Sequence, residues 1–439
     1  MVKFFRDPIH DIIRVEEPHI LKLIDSLAMQ RLRHIRQLGL AWIVYPGAEH
    51  SRFCHSLGCY HLAKRVTHHL RSTIPGKLDD EQIKILLTAA LLHDIGHGPF
   101  SHMFENLCNQ DLGVSYKHES WTKRIVLEDK GVNSILKSVE IDDFPQKIVG
   151  VYSKTITPYY LCDIISSQLD VDRFDYLLRD THMTGARYGN FDQEWILRTL
   201  TISKVKNIVE VEDEEGNQLG EIETVVIDGK RGLSTLEQHI LGRHYMYKHV
   251  YFHKTIRAAE AMLRMILKRA AHLIIDGHDI IGNAAFQKLV KNESIPVDDF
   301  LTLNDFLILS WVHEWAYSAE DDILKRLSQD FISRRLFKCD ILDVGGKEYA
   351  DKRDKLKEIL KDDITYFFVE DEPKDIAYKD YFYQIKKEKS PQEIWFLNRE
   401  GKPEQLSGYE GLLSAGKNAL NFNTVYWHMP EEVLKRLNN

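Results

Sequence analysis

The 439-residue chain is 44% hydrophobic and 28% charged, the balance of a globular protein with enough apolar material for its own core. Its net charge of −8 argues against a broad basic face for long nucleic acid, whose binding rests on counterion release. The five cysteines are scattered without a Cys-x-x-Cys pair, which argues against a disulfide framework or a thiolate zinc site. Charges interrupt the N-terminal segment where a secretory signal needs an apolar run, and no stretch has the length of a membrane span. A cytoplasmic protein is therefore expected.

From about residue 18 to 200 apolar residues recur at three and four, the period of amphipathic helices. Ile83, Leu86, Leu87, Ala90 and Leu91 form one such stripe, and Asp79-Asp80-Glu81 before it suits a helix N-terminus. That helix should stop near Gly96. Residues 204–228 carry two β-prone runs around Glu-Glu-Gly-Asn-Gln and predict a β-hairpin inserted between helices. One long helix is expected from Ser234 to His272. Beyond residue 340 three short strand-like runs, at 366–370, 381–385 and 393–397, precede a closing helix at Glu431–Leu437. The expected architecture is mainly α: a helical core domain over residues 1–339 with the hairpin insertion, and a small C-terminal α+β region over 340–439.

Three segments carry chemistry. In Leu91-Leu92-His93-Asp94-Ile95-Gly96-His97, His93 follows Leu86 by two helical turns, so it and Asp94 continue a buried stripe. Buried charge of that kind is costly unless paired or bound to a metal. Upstream, Arg52 and His55 lie three apart on one helical face, a cation beside an imidazole. Downstream, Asp172, Tyr176 and Asp180 fall at four-residue spacing, opposite Val171, Phe174, Leu177 and Leu178. Each segment has a blander reading: a helix-end histidine satisfied by a carbonyl, a surface stripe, a solvated charged face. Together they offer two imidazoles and two carboxylates, a set suited to a divalent metal with open positions. Arg243, Tyr247 and Tyr251, four apart, form a stripe that could line the same pocket or simply pack in the core.

The ordered set His55, His93-Asp94 and Asp172 resembles the H…HD…D signature of the HD superfamily of metal-dependent phosphohydrolases. More narrowly, Gln37-Leu38-Gly39, the run Tyr45 to Ser56, His93 to His102 and Asp170 to Asp180 are similar to the deoxynucleoside triphosphate triphosphohydrolases, which include the SAM-and-HD-domain enzyme. The similarity runs from about Lys3 to Lys338, with no SAM-like segment before it, as in a microbial member with a single HD domain. It implies hydrolysis of a dNTP at the α-phosphorus to a deoxynucleoside and inorganic triphosphate, as a dGTPase or broader dNTPase, with Mg²⁺, Mn²⁺, Fe or Zn²⁺ as cofactor.

By that resemblance His55, His93, Asp94 and Asp172 hold the metal, and Arg52, Arg173 and Arg243 meet phosphates. His97, His102 and His118 lie near the scissile bond, with His102 as the acid for the leaving 5′-oxygen, assisted by Glu105. Leu38 and Tyr251 exclude a 2′-hydroxyl, Gln37 and Asp180 contact the 3′-hydroxyl, and Tyr176 and Tyr247 complete the substrate wall. Tyr247 stands where the SAM-and-HD-domain enzyme has histidine. Lys3, Asp25, Gln30, Arg33 and Arg334 correspond to an allosteric guanine-nucleotide site at a subunit junction, and Arg231 and Lys254 to part of the adjoining nucleotide site. The resemblance thus implies a dGTP or GTP activator and a homotetramer. Two rival readings remain at this stage: an HD phosphohydrolase or nuclease acting on other nucleotides, and a nucleotide-binding regulator without turnover.

Overall fold

The computed structural model describes residues 2–209, 218–343, 347–372, 394–409 and 424–438. It begins with a two-stranded antiparallel hairpin, β1 (Lys3–Asp7) and β2 (Asp11–Val15), which the helical period of the following segment gave no reason to expect. The helices that follow form the bulk of the molecule, so the mainly α expectation holds.

Three of these helices position the site. Arg52–Thr73 presents one face to Asp80–Leu92 and another to Val171–Thr184. Asp79 caps the second through a capping box, accepting from Gln82 N at 2.7 Å while its own N–H donates to the Gln82 side chain. That helix ends at Leu92, just before His93, and its Leu86, Leu87, Ala90 and Leu91 stripe is buried. Asp170 caps the third by accepting from Arg173 N, and Gly185, at φ 75°, closes it in the left-handed region where glycine carries no Cβ penalty. Val171, Phe174 and Leu177 on its inner face are all buried.

The inserted hairpin is longer than its sequence signal: β3 (Leu200–Val209) pairs with β4 (Gln218–Asp228), and the expected turn lies outside the described residues. The single long helix predicted from Ser234 is two helices, Gly229–Met246 and Lys254–Ile275. A π-helical turn, Tyr247–Tyr251, joins them to a break at His253, whose side chain caps the second helix by accepting from Thr255 N.

In the C-terminal region β5 (Lys338–Asp343), β6 (Val369–Asp371), β7 (Trp395–Leu397), β8 (Pro403–Gln405) and β9 (Thr424–Met429) build parts of two sheets. β7 runs parallel to β4, so the order β3-β4-β7-β8 completes the inserted hairpin's sheet, while β5-β9-β6 forms a separate antiparallel one. The strand expected at 366–370 is only half a strand, since Ile364–Phe367 is helical; that expected at 381–385 lies outside the described residues. The closing helix is Glu431–Asn438. Among the described residues no helix is long and apolar enough to cross a membrane.

Candidate active site

His55 lies on the first turn of helix Arg52–Thr73, His93 at the C-cap of Asp80–Leu92, and Asp172 on the first turn of Val171–Thr184. The fold brings these ends together. His55 Nε2 is 2.9 Å from Asp172 Oδ1 and 3.2 Å from His93 Nε2. His93 Nε2 is 3.3 Å from Asp94 Oδ1 and 3.7 Å from Asp172 Oδ1, and His55 Nε2 is 3.8 Å from Asp94 Oδ2.

The outer nitrogens decide the chemistry of that cluster. His93 Nδ1 is 2.8 Å from Ala90 O, which only accepts, and His55 Nδ1 is 2.8 Å from the Asp175 carboxylate. Both rings therefore carry their proton on Nδ1 and turn an Nε2 lone pair inward, towards each other and two carboxylates. With both rings neutral these lone pairs face the carboxylates and one another, an arrangement that a proton on His55 Nε2 or a bound cation satisfies. Ligand atoms about 2.1 Å from a divalent ion lie about 3.0 to 3.4 Å from one another, close to the spacings found. Electrostatics agrees. Burial disfavours a charged His55, yet Cys59, Asp172 and Asp175 hold it well above the ordinary histidine range, as expected where negative charge awaits neutralisation. Asp172 is pushed up by burial but held lower overall by His55 and His93. The residues present thus fit a divalent metal ion.

Arg52, expected at phosphate, donates from Nη1 to Asp94 Oδ2 at 2.5 Å and from Nε to Ser101 Oγ at 2.8 Å. It holds a candidate ligand in place. Burial raises the Asp94 pKa, but Arg52, His93 and His97 together bring it well below the carboxylate range. Gly96 lets this loop approach the helix His118–Glu128: a Cβ there would lie 2.2 Å from Thr122 N. Phe100 and Ser101 adopt positive φ, 53° and 55°, a strained backbone braced by Asp305, whose Oδ1 accepts from Phe100 N at 2.7 Å.

Next to the metal cluster the four expected catalytic residues form a second group. His97 Nδ1 is 3.2 Å from Asp94 Oδ1, and its ring stacks on His118 with centroids 4.0 Å apart. Glu105 Oε2 is 3.2 Å from His118 Nδ1 and 3.7 Å from His102 Nδ1, so the carboxylate serves both rings. Burial, then Arg52 and His118, push His97 well below the ordinary histidine range and keep it neutral. Burial alone would raise Glu105, but His102 and His118 hold it ionised. His102 is half exposed, with access to a ligand.

The substrate-wall residues also converge. Tyr251 OH donates to Asp180 Oδ2 at 2.7 Å, Tyr176 and Tyr247 hydroxyls lie 3.3 Å apart, and the Tyr247 and Tyr251 rings meet edge to face. Arg243 Nη1 donates to Gln168 Oε1, and Arg173 pairs with Asp170 while its Nε is buried without a partner. Gln37 Oε1 is likewise buried and unpartnered, and Leu38 packs half-buried beside it in sequence.

Lys3 pairs with Asp25 at 2.9 Å, Arg33 Nε donates to Gln30 Oε1, and Gln30 bonds Ile24 O beside Asp25. Arg231, Lys254 and Arg334 make no hydrogen bond or ion pair with that quartet: Arg231 faces Asp228, Arg334 donates to Ile43 O, and Lys254 is exposed. Within one chain the expected nucleotide-site residues therefore form separate groups.

An HD domain model matches residues 52–180. The chain is 33% identical over 429 residues to the uncharacterized protein YwfO of Bacillus subtilis, covering 97% of this chain and 92% of that one. It belongs to the HD-domain phosphohydrolases. Deoxynucleoside triphosphate triphosphohydrolase SAMHD1 of Gallus gallus is 33% identical over 237 residues, 47% of this chain and 38% of that protein. Among solved structures, a phosphohydrolase of Bacteroides thetaiotaomicron superposes with a TM-score of 0.78 at 25% identity, over 98% of this chain and all of that one.

Several residues that the motif reading missed stand behind the named ones. Asp175, Arg179, His10 and Asp7 back His55; His50 Nε2 bonds Asp180 Oδ1 at 2.7 Å; Asp305 braces the Phe100 turn. Asp175 and Arg179 carried a signal, being four apart on the same helix as Asp172.

Proposed function

We propose that this HD-domain hydrolase cleaves deoxynucleoside triphosphates at the α-phosphorus, releasing a deoxynucleoside and intact triphosphate. The observation that carries the reading is the contact between two groups of different chemistry. The acceptor cluster of His55, His93, Asp94 and Asp172 touches the proton-handling cluster of His97, His102, Glu105 and His118 through Asp94 and His97. A divalent ion, Mg²⁺, Mn²⁺, Fe or Zn²⁺, held by the first group would supply Lewis-acid polarisation of a phosphate oxygen and neutralise charge. Neutral His97 can accept or relay a proton beside it. Ionised Glu105 lies beside both His102 and His118, and half-exposed His102 is the group placed to deliver a proton to the leaving 5′-oxygen. Arg173 and Arg243 face the triphosphate, and Gln37, Leu38, Asp180, Tyr176, Tyr247 and Tyr251 enclose the sugar.

Activation by dGTP or GTP in a homotetramer belongs to the same proposal. Lys3, Asp25, Gln30 and Arg33 form one half-site and Arg231, Lys254 and Arg334 belong to others, a division suited to completion by a second copy of the chain. A cytoplasmic location fits a nucleotide substrate.

The test is product analysis of metal-replete protein with each dNTP and NTP, alone and with GTP or dGTP, resolving triphosphate from pyrophosphate and phosphate. Deoxynucleoside with intact triphosphate is expected, rising on activator addition. Pyrophosphate or phosphate as the released product would reassign the scissile bond. Nucleotide binding without turnover under every metal would leave a regulator.

A further inference from the structure

The tip of the N-terminal hairpin is buried against the back of the metal cluster. Asp175 Oδ2 accepts from His55 Nδ1 at 2.8 Å, and its Oδ1 accepts from His10 Nε2 at 2.6 Å. The side chains of His10, His55 and Asp175 are 1%, 0% and 0% exposed. Arg179 grips both Asp175 oxygens, Nε to Oδ2 at 2.8 Å and Nη2 to Oδ1 at 2.9 Å, and reaches on to Asp7 with Nη1 at 2.8 Å. Asp7 Oδ1 in turn accepts from Ile9 N and His10 N, which shapes the tip that carries His10.

We infer that the N-terminal hairpin is a working part of the metal centre: His10, acting with Arg179, is a positioning residue that fixes Asp175 and, through it, aims His55 Nε2 at the metal. A carboxylate that orients a metal-binding histidine commonly needs only the protein around it; here one of its anchors arrives from a separate element far away in sequence. Two five-residue strands make a sheet that is marginal by itself, so the tip contacts hold the hairpin as well as being held by it. Asp175 has no room to choose another pose. A Cβ at Gly58 would fall 1.8 Å from its Oδ1, so helix Arg52–Thr73 presses bare backbone against the carboxylate. His10 supplies a further donor to the same Oδ1 that faces Gly58. With it removed, Asp175 keeps Arg179 but loses the bond that opposes the pull of His55, and the imidazole gains freedom at its metal-facing nitrogen.

The inference rests on the assignment of His55 as a metal ligand and is independent of the nucleotide substrate. The experiment is Mn²⁺ titration of EDTA-stripped full-length protein, followed by electron paramagnetic resonance, with apo-state urea unfolding in parallel. His10→Phe fills the space without a donor, and His10→Asn keeps a donor too short to reach; either folded variant suffices. Mn²⁺ affinity should fall roughly 10- to 100-fold in both. His10→Gln, which retains a longer N–H donor, should recover part of it. His61→Ala removes a ring 5.0 Å from His10 that makes no bond to Asp175, and should bind Mn²⁺ as the unaltered protein does. Unaltered affinity in the folded His10 variants, with binding lost in His55→Ala, overturns this inference alone. Unaltered affinity in His55→Ala overturns the metal assignment beneath it. Equal loss in His61→Ala would reduce His10 to general packing.

Discussion

Behind the metal-binding cluster the outward nitrogens of His55 and His93 are both bonded, and Asp175, Arg179, His10 and Asp7 form a closed network. Across the pocket, Gln37 Oε1, His50 Nδ1 and Arg173 Nε are buried without partners. The first wall is complete before any nucleotide arrives, and its cost of organisation falls on folding. The second leaves polar atoms without a protein partner, and on the proposed reading an analogue lacking the matching group would leave them unpaired. Preorganised chemistry on one side and polar atoms left unpaired on the other is a division suited to the proposed hydrolase.

The strongest way to break this contrast is to remove a group that faces the metal. Asp172→Ala should lower turnover by more than about 10³-fold and remove stoichiometric metal, read by elemental analysis, while the circular dichroism spectrum is unchanged. Retained metal and activity would dissolve the cluster as assigned.

Gly58→Ala attacks the same wall through packing. The added methyl cannot coexist with Asp175 in its present place, and the helix there is held on both sides. A loss of about 3 kcal/mol in urea unfolding is expected, with metal bound more weakly in whatever remains folded. A stable variant with full metal content would show that the network has slack.

The proton-handling group adjoins the first wall through Asp94 and His97 and is tested next. His102→Ala and His118→Ala should each slow turnover about 10²-fold and leave metal content unchanged, since neither ring belongs to the acceptor cluster. Loss of metal in either would move Glu105 and its histidines into the metal centre.

The contrast also explains what the sequence disclosed. The convergence of His55, His93-Asp94 and Asp172 was legible because each sits in a short run of chemistry-bearing residues at a helix end, and helix period placed His93 and Asp94 in line with a buried stripe. Their supports were not. His10 meets Asp175 across 165 positions and Asp305 meets Phe100 across 205, contacts that no local pattern announces. The break at His253 was hidden for a different reason. The π-helical turn Tyr247–Tyr251 keeps the aromatic side chains in register, so the four-residue spacing reads as an uninterrupted helix. The C-terminal strands were partly hidden because β7 owes its place to β4, a partner supplied by the inserted hairpin.

The recognition wall should respond more gently, because its groups act on a ligand one bond at a time. Tyr251 OH donates to Asp180 Oδ2, whose other oxygen is bonded to His50, so Tyr251→Phe leaves the ring in place and removes one donor. The loss of a single such bond is worth about 1 kcal/mol, or roughly a fivefold change. It should fall on KM for the deoxynucleotide with kcat nearly kept, because the bond lies on the sugar side and not at the proton donor. If the Tyr251 ring excludes a 2′-hydroxyl as proposed, discrimination against ribonucleotides should persist in Tyr251→Phe and weaken in Tyr251→Ala. A fall in kcat with KM unchanged would instead tie Asp180 and Tyr251 to the chemical step, and the separation between the two walls would no longer hold.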